Sequence, residues 1–518
     1  MPVSSVEELW MLVNQLRHKT AFPHPVKYFK TIETHISIVV LTGEYAYKFK
    51  KPVNYGFLDF STFSKREYYC NQEVSFNKRL APDVYIDVRY VGGMPPKIGG
   101  EPVIEPVVFM HEFPQEEIFI NKIQRGDLAL DDFARIGRHA GAFHLRSESA
   151  PVESRFGSPE TVKHYVVQNF EQIKAHWDKE ESLPDHFFFL ESWSLERHAI
   201  LEEFIARRKN EGYVKHCHGD MHLKNIVDFK GRIQIFDCIE FNEELSWIDV
   251  INEIAFLLMD TAYHNSEHLG WNFLNWWLAW TGDYEGLKLL RYYMTYRAMV
   301  RAKVSLFQND VNSMVNYVNL AYEFATRRME PVLILMVGVS GSGKSTIAEH
   351  LSAYGKYIWI RSDVERKRLA GLLPHQPSDG SIYSPEFSYK TYQRLYSLAK
   401  HNLLNGFGVV VDATFLRRDH RASFVNMARQ LDVPLFIIYA YADESVYEAR
   451  IESRKSKEGE PSEATFEVMR KQLATLEPPS SDEGIVIAVN TTYKSPSDQA
   501  IEVLREISQV PKSVQAQI

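Results

Sequence analysis

The sequence predicts two domains of mixed class: an N-terminal α+β half in two lobes, and a C-terminal α/β half built on a five-stranded parallel sheet. Three observations lead there. Residues 27–110 carry short β-type runs, whereas residues 130–325 carry long amphipathic helical patterns. Five apolar runs follow, at 332–337, 357–360, 408–412, 434–440 and 485–489, each separated from the next by helical sequence. Such alternation buries a parallel sheet between helices. The last helical period before the change, MVNYVNLAYEFATRRM, stops ahead of Pro331 and places a boundary near 328–331. The domains are therefore read as 1–328 (small lobe about 25–110, helical lobe about 114–328) and 331–510, with 511–518 as a flexible tail.

Composition narrows the class. Hydrophobic residues at 45% and charged residues at 24% exclude a disordered or fibrous chain. Lys+Arg 59 against Asp+Glu 67 gives a net charge of −8, which disfavours a general nucleic-acid binder and leaves a local basic groove open. Cys70, Cys217 and Cys238 show no C-x-x-C pair or zinc spacing, and read as reduced thiols in a cytoplasmic protein. The opening MPVSSVEELWMLVNQL, with Glu7 and Glu8, reads as a capped helix and not as a signal peptide. The most apolar window, IDVINEIAFLLMD, is broken by Asp249, Asn252 and Glu253, so no membrane partner is expected. The sequence assigns no oligomeric state.

Along the first half, THISIVVLTGEYAYKFKK reads as two strands around Thr42-Gly43, and KREYYCNQEVSFNKRL as a helix at 65–80. The aromatic run from Gly270 to Phe307 has apolar residues on too many faces for a surface helix, and reads as packed core. The second half opens with a strand, PVLILMVGV, leading into Gly338-Val-Ser-Gly-Ser-Gly343-Lys344-Ser345, the pattern G-x-x-x-x-G-K-[ST]. Glycines there let backbone N–H groups cradle phosphates, Lys344 reaches the β/γ-phosphates and Ser345 ligates Mg²⁺. Gly338, Ser340, Gly341, Ser342, Gly343, Lys344, Ser345 and Thr346 are the expected nucleotide contacts, with ATP and Mg²⁺ as cofactors. Asp363 and Asp412 end predicted strands, at the sheet edge where ligands bind. Asp412 suits the metal and Asp363 a general base, with helix N-capping as the competing reading of both. Arg450 and Arg454, one turn apart, suit closure over a transferring phosphoryl group, although a solvated charged helix would look similar.

GVSGSGKST, RSDVERKRL, VVVDATFLRRDHR and the Arg450/Arg454 segment resemble the small P-loop kinases: gluconate kinase, zeta toxins, chloramphenicol phosphotransferase and the 5′-kinase half of polynucleotide kinases. The resemblance implies Asp363 as the base and Arg366 as a substrate or phosphate contact. It also implies Arg418 and Arg421 as substrate contacts.

A second constellation lies at 218–237. In His218-Gly-Asp220-Met-His222-Leu-Lys-Asn225 the interval from Asp220 to Asn225 is that of the kinase catalytic loop, and IVDFKGRIQIFD then reads as a hairpin turning at Lys230-Gly231. Folding about residue 231 is expected to set Asn225 opposite Asp237 as a metal pair, with Asp220 taking a hydroxyl proton. His218 and His222 are expected to brace the loop. Lys48, on an alternating strand with Lys50, and Glu73, ahead of Glu67, are the expected phosphate-binding lysine and its helix partner. VVFMHEFPQE at 107–116 reads as the adenine hinge.

HGDMHLKN, IFD and GRHAGAFHLR resemble the aminoglycoside phosphotransferase and choline kinase group of protein-kinase-like enzymes, implying a bilobal kinase-like fold for the first half. The whole order resembles a bacterial two-domain family, aminoglycoside phosphotransferase-like then AAA-type P-loop. Two departures stand out: ETHIS (33–37) replaces a Gly-rich loop, and Asp249 and Glu253 stand where the group more often has two aspartates. The expected activity is an ATP-dependent kinase with two sites, each transferring a γ-phosphoryl group to a hydroxyl of a small polar acceptor. Glu240, Glu243, Glu244 and Asp249 would suit a cationic acceptor at the first site, or be caps and surface charge. The alternatives are a ligand-sensing module gating a P-loop ATPase, and a nucleic-acid 5′-hydroxyl kinase.

Overall fold

The computed structural model describes residues 2–18, 20–56, 58–177, 182–328, 330–378, 380–454 and 465–510, the Arg454 side chain excepted. The tail at 511–518 and most of the segment after Arg454 lie outside the described residues.

Helix α1 (Val6–Gln15) precedes β1 (Lys30–Glu33), β2 (Ser37–Leu41), β3 (Tyr45–Lys50), α2 (Phe63–Asn77), β4 (Tyr85–Gly92), β5 (Lys97–Ile98) and β6 (Val103–His111). These strands form one antiparallel sheet in the order β1-β2-β3-β6-β4-β5. A helical stretch follows: α3 (Phe119–Arg125), α4 (Leu130–Arg146), α5 (Pro159–His176) and α6 (Phe187–Asn210). Next come β7 (Val214–His216), the hairpin β8 (Ile226–Phe229) and β9 (Arg232–Ile235), α7 (Glu243–Ser246), β10 (Trp247–Asp249) and α8 (Val250–Tyr263). Helices α9 (Glu267–Thr281), α10 (Leu290–Phe307) and α11 (Val311–Thr326) complete the run. The remainder alternates: β11 (Leu333–Val337), α12 (Lys344–Gly355), β12 (Ile358–Arg361), α13 (Ser362–Leu369), α14 (Pro385–Leu404), β13 (Val409–Asp412), α15 (Arg418–Leu431), β14 (Leu435–Tyr441), α16 (Glu444–Arg454), α17 (Phe466–Thr475), β15 (Ile485–Asn490) and α18 (Pro496–Gln509).

The chain forms two compact units. One comprises Met1–Leu128, Phe143–His264 and Leu289–Ala325, and the other Ala129–Ala142, Asn265–Lys288 and Thr326–Ile518. The first is a bilobal kinase-like fold: a curled antiparallel sheet with one helix, then a helical lobe carrying a β-hairpin. Alternation along β3 does the positioning. Tyr47 and Phe49 enter a core with Leu9, Leu12 and Val13 of α1, while Lys48 and Lys50 project from the opposite side towards α2.

The β8–β9 hairpin corrects one expectation. Its register pairs Ile226 with Ile235, and the Phe236 N–H donates to the Asn225 carbonyl at 2.9 Å. Asn225 therefore faces Phe236, one residue short of the expected Asp237. The cause is a two-residue turn in which Lys230 (φ 54°) and Gly231 (φ 75°) are both left-handed. Asp237 follows with φ 63° and so leaves the strand path.

In the second unit the five expected apolar runs are the five strands, parallel and ordered β12-β13-β11-β14-β15. The register sets Arg361 beside Asp412 and Asp412 beside Met336, level at the carboxyl edge of the sheet. Helix α9 also belongs here. The Asn275 side-chain amide donates to the Tyr357 carbonyl at 3.0 Å and accepts from the Trp359 N–H at 2.8 Å, so it pairs the outer backbone of edge strand β12.

Candidate active sites

Around the first site, charges are answered in pairs. Glu73, fully buried on α2, takes Lys48 at 2.7 Å on one oxygen and Lys50 at 2.6 Å on the other. Lys48 also reaches Asp237 at 2.5 Å, and Lys50 reaches Glu240 at 2.5 Å. Burial alone would push the Glu73 carboxyl up, but the two lysines hold it down at about 2. Glu240 goes the other way, because burial outweighs Lys50. Lys51, which sequence reasoning passed over, donates to the Thr34 carbonyl at 2.6 Å. The turn at 33–37 is tied to itself, the Ser37 N–H donating to Thr34 Oγ1 at 3.0 Å and the Thr34 N–H to the Ser37 carbonyl at 2.9 Å.

The catalytic-type loop is braced from behind. Glu253 accepts the His218 and Gly219 N–H groups at 2.7 and 2.9 Å, and Asp260 accepts that of Leu223 at 2.9 Å. His218 Nε2 meets the Phe236 carbonyl at 2.8 Å, while its Nδ1 accepts from Asp220 N–H at 3.2 Å. His222 Nε2 lies 3.3 Å from Asp220 Oδ2, and the Asn225 amide nitrogen donates to that oxygen at 3.0 Å. Burial would raise the Asp220 carboxyl, yet His222, His218 and Arg301 hold it well below the usual carboxylate range. It is thus ionised and able to accept a hydroxyl proton. With the Asn225 amide nitrogen committed, its carbonyl oxygen and the half-exposed Asp237 are metal-type donors. Glu253 is pushed up to about 7 by burial against the pull of Arg297 and the two N–H donors. Asp249 is spent on structure: it pairs with Arg208 at 2.8 Å and caps α8.

The second site surrounds a cavity of about 270 Å³ lined by Ser340, Lys344, Ser345, Asp363, Arg366 and Asp412, among others. Gly338, Gly341 and Gly343 all have positive φ, and a Cβ at Gly338 would meet the Ala440 carbonyl oxygen at 2.4 Å. The loop turns straight into α12, whose N-terminus starts at Lys344. Asp412 is buried and Oδ1 has no hydrogen-bond partner. Burial raises its carboxyl, opposed by Lys344, Arg361 and the Ser345 hydroxyl. A buried carboxylate oxygen left open beside a serine hydroxyl fits a hard divalent cation.

Arg366 lines the same cavity. It is 9% exposed on the cavity wall, donates to the Ile382 carbonyl at 2.8 Å and stands 5.2 Å from the Tyr383 ring, and its buried Nε is unpartnered. Asp363, in the first turn of α13, lines the same wall. Arg421, expected at the substrate, is placed elsewhere. It is fully buried, grips Glu483 at 2.7 and 2.8 Å, and donates to the Phe415 and Glu477 carbonyls. Arg418 pairs with Asp482 at the surface. Arg450 holds Thr491 through its hydroxyl and carbonyl, both at 2.7 Å, and Thr491 donates to the Ser342 carbonyl, so this arginine supports the phosphate loop from outside the cavity. The Arg454 side chain lies outside the described residues. Sequence reasoning missed Arg361, Tyr383, Tyr392 and Gln472 in the cavity wall. Of these only Arg361 carried a signal, its place at a strand end two residues before Asp363. Gln472 accepts the Ser340 N–H at 2.8 Å.

Among the described residues no helix is long and apolar enough to cross a membrane. A family described as AAA domain (AAA_33) matches residues 333–479. Among solved structures, a sugar kinase from Janibacter sp. HTCC2649 is 19% identical, spanning 36% of this chain and 98% of its own, with a TM-score of 0.27. A choline/ethanolamine kinase family protein from Mesorhizobium loti is 11% identical, spanning 61% and 96%, with a TM-score of 0.41. A Mycobacterium bovis protein, Uncharacterized protein Mb2027c, is 30% identical over 465 residues. The same identity and length relate the chain to Uncharacterized protein Rv2004c of Mycobacterium tuberculosis H37Rv. The match spans 87% of this chain and 91% of that protein, and the chain belongs to the same family as that protein.

Proposed function

We propose that the protein is an ATP-dependent phosphotransferase with two nucleotide sites, each moving a γ-phosphoryl group to a hydroxyl of a small polar acceptor. The observation that carries this is the completeness of both sets of side chains. Lys48, Glu73, Asp220, Asn225 and Asp237 converge in one unit, and Lys344, Ser345, Asp363 and Asp412 in the other. ATP brings the phosphoryl group, and Mg²⁺ neutralises its charge when bound.

At the first site Lys48, oriented by Glu73, holds phosphate oxygens, while Asn225 and Asp237 hold the metal. Asp220 accepts the acceptor's proton as its oxygen bonds to the γ-phosphorus and the β,γ-bridging bond breaks. At the second site the α12 N-terminus and Lys344 hold the phosphates, Ser345 and Asp412 hold the metal, Asp363 takes the proton and Arg366 orients the acceptor. The test is transfer of labelled γ-phosphate from ATP into a metabolite extract by the wild type, Asp220→Ala and Asp363→Ala proteins. Each variant is expected to lose one labelled product and keep the other. A second reading, a ligand-sensing first unit, is favoured by the self-bonded turn at 33–37. It would be supported by ATP binding at that unit with no Asp220-dependent product.

A further inference from the structure

Gln472 is held beside the phosphate loop by contacts on both sides of it in the chain. Thr465 caps α17, its Oγ1 accepting the Val468 N–H at 3.3 Å. One turn on, Met469 is buried with Val339 of the loop, Ala442, Tyr447 and Ile451. Val468 and Gln472, on one face of the helix, then line the cavity. Beyond the helix the chain is fixed by Arg418 and Arg421, the arginines expected at the substrate. The Glu477 carboxylate accepts the Arg418 N–H at 2.7 Å, and the Glu477 carbonyl accepts from the Arg421 guanidinium at 3.0 Å. The Glu477 N–H donates to the Leu416 carbonyl at 2.8 Å.

The Gln472 amide has one orientation. Its oxygen accepts the Ser340 N–H at 2.8 Å, which the amide nitrogen could not do. What it offers a ligand in the cavity is therefore Nε2, a donor with no hydrogen-bond partner among the described residues. A glutamine serving only to plug the loop would take a donor that the phosphates need. The loop has enough without it. Gly338 and Ser342 spend their N–H groups on the Thr414 and Val339 carbonyls, while those of Gly341, Gly343, Lys344 and Ser345 have no partner among the described residues.

The cavity marks which phosphate Nε2 meets. Its lining includes Lys344, Ser345, Asp363 and Asp412 and, among the described residues, leaves out Gly341 and Gly343. Loop glycines of this kind cradle the inner phosphates, whereas the lysine reaches the outer ones and the serine holds the cation. The space shared by Ser345, Asp363 and Gln472 is thus where a terminal phosphate faces its acceptor. We propose that Gln472 is a further catalytic residue of the second site, its Nε2 donating to an oxygen of the γ-phosphoryl group and so distinguishing ATP from ADP. This rests on the phosphotransferase reading of that site. The acceptor's hydroxyl oxygen bonds to the γ-phosphorus, the β,γ-bridging P–O bond breaks with its electron pair going to ADP, and the hydroxyl proton passes to Asp363. Gln472 keeps its protons throughout and stabilises charge on the moving phosphoryl oxygens.

The experiment uses full-length Asp220→Ala protein, which silences transfer at the first site, with Mg²⁺ present. It reads ATP and ADP affinity by calorimetry, and transfer of labelled γ-phosphate into a metabolite extract. Binding at the second site is the part that Lys344→Ala removes. Gln472→Ala is expected to weaken ATP there about tenfold, leave ADP within about twofold, and lower Asp363-dependent transfer about 100-fold at saturating ATP. Gln472→Glu keeps an oxygen for the Ser340 N–H and sets a second, negative oxygen in place of Nε2. It is expected to keep the wild-type urea midpoint and to weaken ATP more than alanine does, which answers for any loss of folding in the alanine variant. Tighter binding of both nucleotides by Gln472→Ala would make Gln472 a plug on Ser340, and equal weakening of both would make it a brace. Either result, or wild-type transfer in either variant, overturns the proposal while leaving the kinase standing. No Lys344-dependent ATP binding and no Asp363-dependent transfer overturn the phosphotransferase reading of this site and the proposal with it.

Discussion

In the kinase-like unit, Lys48, Lys50, Glu73, Asp237 and Glu240 answer one another across segments far apart in the chain. In the P-loop unit the corresponding groups wait: Asp412 Oδ1, Ser342 Oγ and Arg366 Nε are all buried with no hydrogen-bond partner. The first arrangement makes the candidate site residues part of the fold, so stability is expected to fall with any function they carry when one is removed. The second keeps polar atoms open at a cost in stability, and a bound ligand or cation repays it. The two units should therefore respond oppositely to loss of a site carboxylate.

Glu73→Ala is the largest expected effect. It leaves two buried ammonium groups short of their shared partner, and stability should fall by about 3–5 kcal/mol, read as a lower urea midpoint. Glu73→Gln keeps the volume and should recover only part of it. A midpoint within about 1 kcal/mol of wild type would mean that Lys48 and Lys50 are carried by Asp237 and Glu240 alone, and the closed-network picture would fail.

Glu253 comes next, and its effect depends on pH. Its folded-state carboxyl, at about 7, lies above the ordinary value of 4.5, so the folded protein holds the proton more tightly than the unfolded chain. That contribution is fully present below pH ~4.5 and is lost as pH rises through 7, a change of about 3 kcal/mol. Glu253→Gln adds a constant penalty, because an amide offers one acceptor to the two N–H groups of His218 and Gly219. It should also flatten the stability profile between pH 5 and 8. Parallel wild-type and variant profiles would show that Glu253 does not titrate in that window.

Asn275→Ala tests the P-loop unit away from its cavity. The substitution strips partners from the Tyr357 carbonyl and Trp359 N–H of edge strand β12, and should cost about 2 kcal/mol. Hydrogen exchange at the Trp359 amide should rise before exchange in β11, the central strand.

The same contrast explains what could be read beforehand. The P-loop was legible because its chemistry is contiguous: strand, glycine turn, Lys344 and Ser345 occupy one stretch, and parallel register then brings Asp412 level. Lys48 and Glu73 were legible through strand and helix periodicity. Glu240 as the Lys50 partner was not, since a pair spanning most of a domain has no local signature. Arg421 misled for a related reason. An arginine on a helix looks alike whether it meets substrate or, as here, Glu483, and only the position of the β14–β15 connection decides. The register of Asn225 slipped by one because a Lys-Gly turn and a three-residue turn share the same sequence.

The smallest expected stability change is also the sharpest test of the comparison. Asp412 is buried with a raised carboxyl, and burial dominates over Lys344, Arg361 and Ser345. A group raised in the folded state favours folding while protonated and loses that contribution as pH rises, so at neutral pH its charge works against the fold. Asp412→Asn removes the charge and keeps the shape. The urea midpoint should stay level or rise by up to about 1 kcal/mol, while the gain in ATP affinity on adding Mg²⁺ disappears. The two readouts separate the possibilities. A fall of more than about 2 kcal/mol would place Asp412 with Glu73 as a structural carboxylate. An unchanged Mg²⁺ effect would place the cation elsewhere. Stability kept and Mg²⁺ response lost is the pairing expected only where a carboxylate is held open for a ligand that the fold itself does not provide.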